Sequence, residues 1–349
     1  MEENTVKQEI VLASLVKFVL LVILIEKNLL KQIKHNMKIL GIGNAIVDVI
    51  CKVEDDFISS NNLSKGNMSL IFDNSEFKRL ISNLQIQKTL SGGSVANSIV
   101  GLSQLGNEVG FIGKISDDDL GSEYENGLKN EKVNYFYSKK KESLPTGTCL
   151  ILITPDSERT MCTYLGIAGK INEKDINVDA IKKSQLIFLE GYLWDEGEPK
   201  KAFDKAIDCS NKVAMSLSDK FCVDRHKKDF YDLVKNKLDI TFANEHEIKS
   251  LIDTNNFDDV INFGKQINKH LVITRGEKGA ISIKGNIVTE IGIKNNLKIV
   301  DLTGAGDLFA SGYLHGFLNN FSDLECLEKG TEMSSKIIQQ IGARLINES

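Results

Sequence analysis

Residues 301–307 read DLTGAGD, and the apolar stretch LFASGYLHGFL follows them directly at 308–318. The apolar side chains of the second stretch recur at helical spacing, which predicts a helix over residues 305–319. A Gly-Ala-Gly turn therefore leads straight into the N-terminus of a helix. Unpaired backbone N–H groups and the positive end of the helix dipole converge at such a point, where phosphate oxygens bind favourably.

Asp307, the last residue of this turn, permits two interpretations. Aspartate is common at the start of a helix, where its side chain caps a free backbone N–H group. Gly304 and Gly306, however, allow the backbone to approach a ligand closely, and a simple cap does not need them. The pattern therefore favours a carboxylate that takes part in chemistry beside a phosphate-binding turn.

The composition is that of a packed globular protein. The chain has 349 residues, of which 42% are hydrophobic and 26% charged, enough for one large domain with or without a smaller appendage. The net charge of −5 does not indicate a nucleic-acid binder. Six cysteines lack the C-x-x-C spacing of zinc and redox sites, and we interpret them as reduced thiols of a cytoplasmic protein. No strand leads into G-x-G-x-x-G and no Walker A motif is present.

The first 36 residues precede the pattern of the folded domain. Residues 10–25 read IVLASLVKFVLLVILI, a stretch shorter than the roughly 20 residues that a membrane-spanning helix usually needs. Met37 then opens MKILGIG, which is typical of a first buried strand. We therefore expect residues 1–36 to be an apolar extension outside the fold and residues 37–349 to form the folded domain. A membrane anchor at residues 10–25 is the alternative.

Short apolar runs alternate with amphipathic helical patterns from Met37 onward. This alternation predicts a mainly parallel sheet with helices on both faces, which is a three-layer α/β/α sandwich. Two stretches, 49–72 and 135–164, show period-2 patterns instead, and we expect them to form a small β-sheet lid over the site. The predicted strands are residues 38–42, 109–112, 186–189, 212–216, 239–242 and 271–274, and the predicted helices are residues 94–105, 118–130, 199–211, 226–236, 257–268 and 305–319.

Four short motifs occur along the chain: SGGSVAN at 91–97, NEHE at 244–247, TRGEKG at 274–279 and DLTGAGD at 301–307. They resemble the G-G-x-x-x-N, N-x-x-E, T-x-G-x-x-G and D-x-T-G-A-G-D motifs of the ribokinase/PfkB kinases, in the order of that family. The likeness extends from residue 37 to about residue 343. The sequence departs from it at Leu302, where relatives commonly carry Thr or Asn.

This resemblance implies transfer of the γ-phosphoryl group of ATP, with Mg²⁺, to a hydroxymethyl group of a small molecule. Asp307 would be the general base, and the amides of Gly304, Ala305 and Gly306 would stabilise the charge of the transferring phosphoryl group. The resemblance also assigns residues to each ligand. The acceptor-substrate residues would be Asn44, Asp48, Gly92, Gly93, Asn97 and Arg159, and the ATP residues would be Thr274, Gly276 and Gly279. Mg²⁺ would bind through water at Asn244 and Glu247, and a monovalent cation such as K⁺ would bind at Asp301 and Thr303.

Several of these residues also have a purely structural interpretation. Asn244 and Glu247 have the spacing of a capping box, and since Mg²⁺ keeps most of its waters, both roles are compatible. Asp48 would otherwise be a turn acid after the first strand, and Arg159 a surface cation. The glycines of residues 274–279 would otherwise form a hairpin turn.

The acceptor is the most open part of the interpretation. GNAIVD at 43–48 and the stretch over residues 216–248 resemble the adenosine kinase-like branch, which implies adenosine, phosphorylated at its 5′-hydroxyl. Phe136, Tyr137 or Tyr164 would then form an aromatic slot for the base. A sugar such as fructose or ribose is the alternative.

A catalytically inactive nucleotide-binding regulator is a third interpretation, which the presence of Asp307 disfavours. Monomer and homodimer both stay open.

Overall fold

The computed structural model describes residues 37–66, 68–156 and 158–346. The apolar extension predicted for residues 1–36, including the stretch at 10–25, lies outside these ranges. None of the helices within the described ranges is long and apolar enough to cross a membrane.

Strands and helices alternate along most of the described chain. The strands are β1 (Ile39–Ile42), β2 (Ile46–Lys52), β3 (Met68–Leu70), β4 (Ile86–Ser91), β5 (Val109–Ile112), β6 (Asn134–Tyr135), β7 (Gly147–Ile153), β8 (Arg159–Tyr164), β9 (Leu186–Glu190), β10 (Val213–Ser216), β11 (Ile240–Asn244), β12 (His270–Thr274), β13 (Ala280–Lys284) and β14 (Ile287–Ile291). The α-helices are α1 (Asp55–Ser60), α2 (Asn74–Ser82), α3 (Ser94–Gln104), α4 (Asp119–Asn130), α5 (Val178–Lys183), α6 (Glu198–Cys209), α7 (Lys220–Arg225), α8 (Lys227–Asp232), α9 (Glu245–Leu251), α10 (Phe257–Ile267), α11 (Ala305–Leu318) and α12 (Asp323–Ile337).

The larger sheet has nine strands in the order β14-β13-β12-β11-β10-β9-β1-β5-β6. Its strands are parallel from β12 to β6, and β13 and β14 are added antiparallel at one edge. The central strands β1 and β9 are buried over their whole length, as continuous apolar runs such as ILGI require when helices cover both faces. The predicted α/β/α sandwich with a mainly parallel sheet is confirmed.

A second sheet of five strands, in the order β3-β8-β7-β2-β4, contains most of the strands predicted for the lid. The predicted boundaries, 49–72 and 135–164, need correction at two places. Strand β4 belongs to this sheet, but its IQKTLS sequence is largely exposed and lacks the apolar alternation that marks a strand. Tyr135 instead lies in β6 and pairs with Phe111 in the larger sheet. That the second sheet closes over a substrate stays a prediction.

Helix α11, which begins at the predicted Gly-rich turn, packs closely between α3 and α12. Glycines make this approach possible on both sides. A Cβ atom added at Gly312 would lie 2.3 Å from the backbone oxygen of Lys329 in α12. A Cβ atom added at Gly101 of α3 would lie 2.5 Å from Ser311 Oγ of α11. These two glycines therefore allow the close packing that positions α11, and with it the residues of its first turn.

Replacing Gly312 with alanine tests this packing. We expect Gly312→Ala to lower the free energy of unfolding by about 1–3 kcal/mol, because the added methyl group meets backbone that cannot turn away. Gly292→Ala is the matched control, since a Cβ atom there meets nothing within 4 Å. Chemical denaturation of the two variants measures the difference. A Gly312 variant as stable as the Gly292 variant would contradict the close packing of α11 and α12.

Candidate active site

The Asp307 side chain lies in the first turn of α11 and faces α3. Its Oδ1 accepts a hydrogen bond from Ser94 Oγ at 2.6 Å, and its Oδ2 accepts one from Asn97 Nδ2 at 3.0 Å. Ser98 Oγ donates to the backbone oxygen of Asp307 at 2.9 Å. The N-cap of α11 is Gly304, which has no side-chain cap. The capping interpretation of Asp307 is therefore wrong, because its carboxylate is held by a neighbouring helix and not by its own.

Burial raises the pKa of Asp307 to about 6, even though the hydrogen bonds from Ser94 and Asn97 and the positive charge of Arg344 act to lower it. A carboxylate with this pKa is ionised at neutral pH and is still a stronger base than an ordinary aspartate. General-base catalysis is most effective when the pKa of the base lies near the working pH. The surroundings of Asp307 therefore suit the removal of a proton from a substrate hydroxyl.

The turn before Asp307 requires glycine at its first position. Gly304 has φ 77°, in the left-handed region, and a Cβ atom there would lie 2.7 Å from Ala343 Cα. The N–H group of Ala305 donates to the backbone oxygen of Leu302 at 3.2 Å. Of the three amides predicted to bind phosphate, that of Ala305 is thus already engaged. Those of Gly304 and Gly306 are the better candidates.

A cavity of about 370 Å³ opens in front of this turn. That volume lies in the range of about 300–1,000 Å³ that small-molecule sites usually have. The cavity brings together residues from all four sequence motifs, since Ser94 of the first motif also lines it. Its lining includes Asn244, Glu247, Thr274, Gly304, Ala305, Gly306 and Asp307. Asp307, the glycine turn before it and the predicted Mg²⁺ residues therefore face one space.

Asn244 and Glu247 form the capping box at the start of α9. Asn244 Oδ1 accepts a hydrogen bond from the Glu247 N–H at 2.8 Å, and Glu247 Oε2 accepts one from the Asn244 N–H at 3.0 Å. Burial raises the pKa of Glu247 to about 7. Among the described residues, no group of three or more His, Cys, Asp and Glu side chains could enclose a metal ion. These two residues fit an ion that keeps its waters and binds through the phosphates.

None of the predicted acceptor residues lines this cavity, although Asn97 donates to Asp307. A Cβ atom added at Gly92 would lie 2.6 Å from Asp48 Oδ2, and one at Gly93, whose φ is 98°, would lie 2.2 Å from the backbone oxygen of Asn44. Burial and the charge of Asp307 raise the pKa of Asp48 to about 7, against the lowering effect of Arg344. The two glycines therefore bring the backbone close to Asp48 and Asn44, and their role in binding an acceptor stays a prediction. Burial is the largest of the three effects on Asp48.

A model of pfkB family carbohydrate kinases matches residues 62–349 of this chain. The chain belongs to the pfkB family of carbohydrate kinases. It is a kinase, a phosphotransferase whose acceptor is an alcohol group.

Solved structures and sequence relatives agree with this PfkB assignment. An adenosine kinase from Sinorhizobium meliloti is 34% identical, with a TM-score of 0.80, over 89% of this chain and 96% of that protein. A probable sugar kinase protein from Rhizobium etli CFN 42 is 35% identical, with a TM-score of 0.80, over 88% of this chain and 95% of that protein. A 5-dehydro-2-deoxygluconokinase of Mesomycoplasma hyopneumoniae strain 7448 is 26% identical over 313 residues, which is 82% of this chain and 88% of that protein.

Arg159 of this PfkB kinase connects the second sheet to the segment that leads into the glycine turn. Its Nη1 donates to Asp301 Oδ2 at 2.5 Å, and the N–H of Gly342 donates to the same oxygen at 2.8 Å. Asp301 Oδ1 accepts from the N–H and Oγ1 of Thr303. Both carboxylate oxygens are therefore engaged, one of them with a cation. Binding of a monovalent cation at Asp301 and Thr303 stays a prediction.

The predicted ATP-side glycines form a turn between β12 and β13. Gly276 and Gly279 have φ of 57° and 83°, and neither lines the cavity, whereas Thr274 does. The hairpin interpretation of these two glycines is confirmed.

The predicted aromatic slot for a base is wrong for Tyr137, which is buried and bonded to Glu142. It is also wrong for Tyr164, which is 4% exposed and stacks on a neighbouring phenylalanine.

Sequence reasoning missed several residues that hold the predicted ones in place. Glu190, at the end of β9, accepts hydrogen bonds at Oε1 from Asn44 Nδ2 at 2.8 Å and at Oε2 from the Val95 N–H at 3.0 Å. It is 1% exposed, and burial raises its pKa to about 7. An acidic residue that ends the apolar run LIFLE is a usable signal. Ser94 lies inside a recognised motif, whereas nothing in the sequence near Arg344 marks that residue.

Glu247→Gln separates the capping role of this residue from its predicted role near Mg²⁺. We expect a loss of only about 1 kcal/mol in stability, because glutamine also serves at N3 of a capping box. The apparent affinity for Mg²⁺ should fall about 10- to 100-fold, because the carboxylate charge is lost. Measuring ADP release against Mg²⁺ concentration, with thermal unfolding in parallel, reads both quantities.

Glu325→Gln is the matched control for this experiment, since Glu325 is the N3 residue of the capping box of α12, in which Ser322 is the N-cap. This control should lose a similar amount of stability and keep the Mg²⁺ dependence of the unaltered protein. An unchanged Mg²⁺ dependence in the Glu247 variant would leave Glu247 with the capping role alone.

Proposed function

We propose that this PfkB kinase phosphorylates the 5′-hydroxyl of a purine nucleoside, adenosine, with ATP as donor. The hydroxyl oxygen bonds to the γ-phosphorus while Asp307 accepts the hydroxyl proton. The bond between the γ-phosphorus and the β–γ bridging oxygen breaks, and ADP leaves. The amides of Gly304 and Gly306 act on the charge of the transferring group, which is where preorganised donors are most effective.

The position of Asp307 between two regions supports this reaction. Toward α9 lies the cavity with Asn244 and Glu247, which suits the nucleotide phosphates. Asp48 does not line this cavity but lies close enough to Asp307 that the charge of Asp307 raises its pKa. An acceptor bound at Asp48 would therefore present a hydroxyl to a base that also faces the phosphate-binding turn.

The observation that favours a nucleoside is the apolar face of the second sheet around Asp48. In the neighbouring strands, Cys149 and Leu90 are the residues paired with Asp48, and paired residues share a face. Ile46, two residues before Asp48, lies on the same face and clusters with Cys149. A purine ring is suited to an apolar wall, whereas a polyhydroxylated sugar needs polar partners on most sides. The likeness to the adenosine kinase of S. meliloti supports the same acceptor.

We further propose that Mg²⁺ accompanies ATP at Asn244 and Glu247, where it would neutralise phosphate charge. The ion would be held largely by water and phosphate oxygens, with only these two side chains nearby.

We also propose a cytoplasmic location. All six cysteines are free, and five of them are buried, which supports a reducing compartment.

Replacing Asp307 with asparagine tests the base assignment. We expect kcat to fall about 10²- to 10⁴-fold, because asparagine keeps the size of the side chain but cannot accept the proton. ATP affinity, measured by calorimetry, should change little. Asp258→Asn is the matched control, because Asp258 is an exposed acid in the first turn of α10. A kcat within a few-fold of the unaltered protein would reject Asp307 as the base.

A panel of acceptors tests the substrate. ADP release with MgATP should be highest with adenosine, lower with other nucleosides, and lowest with ribose, fructose and the sugar acid 5-dehydro-2-deoxygluconate. Product analysis should locate the phosphate on the 5′-oxygen. Turnover on a sugar or sugar acid without turnover on adenosine would reject the nucleoside and favour the activity for which the M. hyopneumoniae relative is named.

A further inference from the structure

The carboxylate of Asp307 is the last member of a chain of hydrogen bonds that begins near the C-terminus. Arg344 Nε donates to Asn97 Oδ1 at 3.0 Å, and Asn97 Nδ2 donates to Asp307 Oδ2 at 3.0 Å. Asn97 is thus the connection between a guanidinium and the proposed base. Sequence analysis had assigned it to the acceptor substrate.

The direction of this chain follows from the chemistry of its ends. A guanidinium has only donors, and an ionised carboxylate has only acceptors. The Asn97 amide between them must turn its oxygen to Arg344 and its nitrogen to Asp307. Without Arg344 the amide could rotate and present its oxygen to the carboxylate, which would repel it. The arginine therefore fixes which Asn97 atom faces the base.

The charge of Arg344 acts on the same region. Its Nη2 atom is buried and has no hydrogen-bond partner within the described part of the chain. A buried guanidinium with an unpaired nitrogen is unfavourable unless nearby negative charges compensate it. Asp48 and Asp307 supply that compensation, and in return Arg344 lowers the pKa of both carboxyl groups.

The segment that carries Arg344 is held against the catalytic turn by backbone contacts. The Gly342 N–H donates to Asp301 Oδ2 at 2.8 Å, and Ala343 packs against Gly304. The Arg344 backbone oxygen accepts a hydrogen bond from Gln340 Nε2 at 2.7 Å. Arg344 is therefore held in place by the turn that ends in Asp307, and it is connected to the carboxylate of the same residue through Asn97.

We propose that Arg344 is a positioning residue for the phosphoryl-transfer reaction: it orients the Asn97 amide toward Asp307 and supplies the positive charge that keeps this carboxylate in its base form. The proposal rests on the proposed role of Asp307 as general base. It does not depend on which alcohol is the acceptor.

Four ionisable groups face Asp307 from the elements around it: Arg344 from the C-terminal segment, Asp48 from β2, Glu190 from β9 and Tyr192 just after β9. Helix α3 contributes the neutral donors Ser94 and Asn97. Arg344 is the group in this set whose charge favours ionisation of Asp307. Its loss should raise the pKa of Asp307, so the base becomes protonated, and activity is lost, at a higher pH.

The test is the pH dependence of kcat, measured with whichever acceptor the unaltered protein uses. In Arg344→Met the acidic limb of the plot of kcat against pH should move to a pH about one unit higher, as expected for removal of a nearby opposite charge. At pH 8.5, where the base is ionised in every variant, kcat should still be about 10- to 100-fold lower because Asp307 is no longer oriented. In Arg344→Lys the limb should stay near that of the unaltered protein, and kcat at pH 8.5 should be lowered.

Arg79→Met is the control, because Arg79 is an exposed arginine of α2 that bonds to Asn61. An acidic limb and a kcat in Arg344→Met equal to those of this control would overturn the proposal, even with lower thermal stability. If Arg344→Met does not fold, Arg344→Lys provides the test, because lysine keeps the positive charge but lacks the Nε donor. An unchanged kcat of Arg344→Lys at pH 8.5 would then overturn the proposal. Retained turnover in Asp307→Asn would instead show that the base assignment has failed.

Discussion

The Asp307 carboxylate lies where two helices meet, and both of its oxygens accept hydrogen bonds from α3 while its backbone belongs to α11. The geometry of the proposed base therefore depends on how these helices pack. Gly101 on α3 permits the approach on one side, and Gly312 on α11 permits the approach of α12 on the other. The glycine turn at Gly304 lines the same cavity as Asp307. The packing of these helices therefore also sets the position of the proposed base relative to the turn.

The site also contains several buried carboxyl groups, which burial makes harder to ionise. Burial raises the pKa of Asp48, Glu190 and Glu247 to about 7 each, and that of Asp307 to about 6. Hydrogen bonds and the charge of Arg344 act against burial and hold Asp307 nearer to its ordinary value. A base that is ionised at neutral pH, yet stronger than an exposed aspartate, follows from this balance.

Local patterns in the sequence predicted the fold class, the buried parallel strands and the capping box of α9, because each depends on neighbouring residues. They failed where the decisive contact is distant in the chain. The asparagine that Arg344 bonds to lies 247 positions earlier, and no motif marks the arginine. Asp307 looked equally suited to a helix cap, and only the approach of α3 shows that its side chain points elsewhere. Strand β4 was missed because an exposed edge strand carries little apolar pattern.

Titration of the Asp307 carboxyl group tests the account most directly. Carbon NMR of protein labelled at aspartate, compared with the Asp307→Asn variant, identifies its resonance by difference. The account predicts that this resonance titrates near pH 6 in the free protein. Titration near the ordinary aspartate value of about 3.9 would contradict it, because the carboxylate would then be neither buried nor tuned as a base.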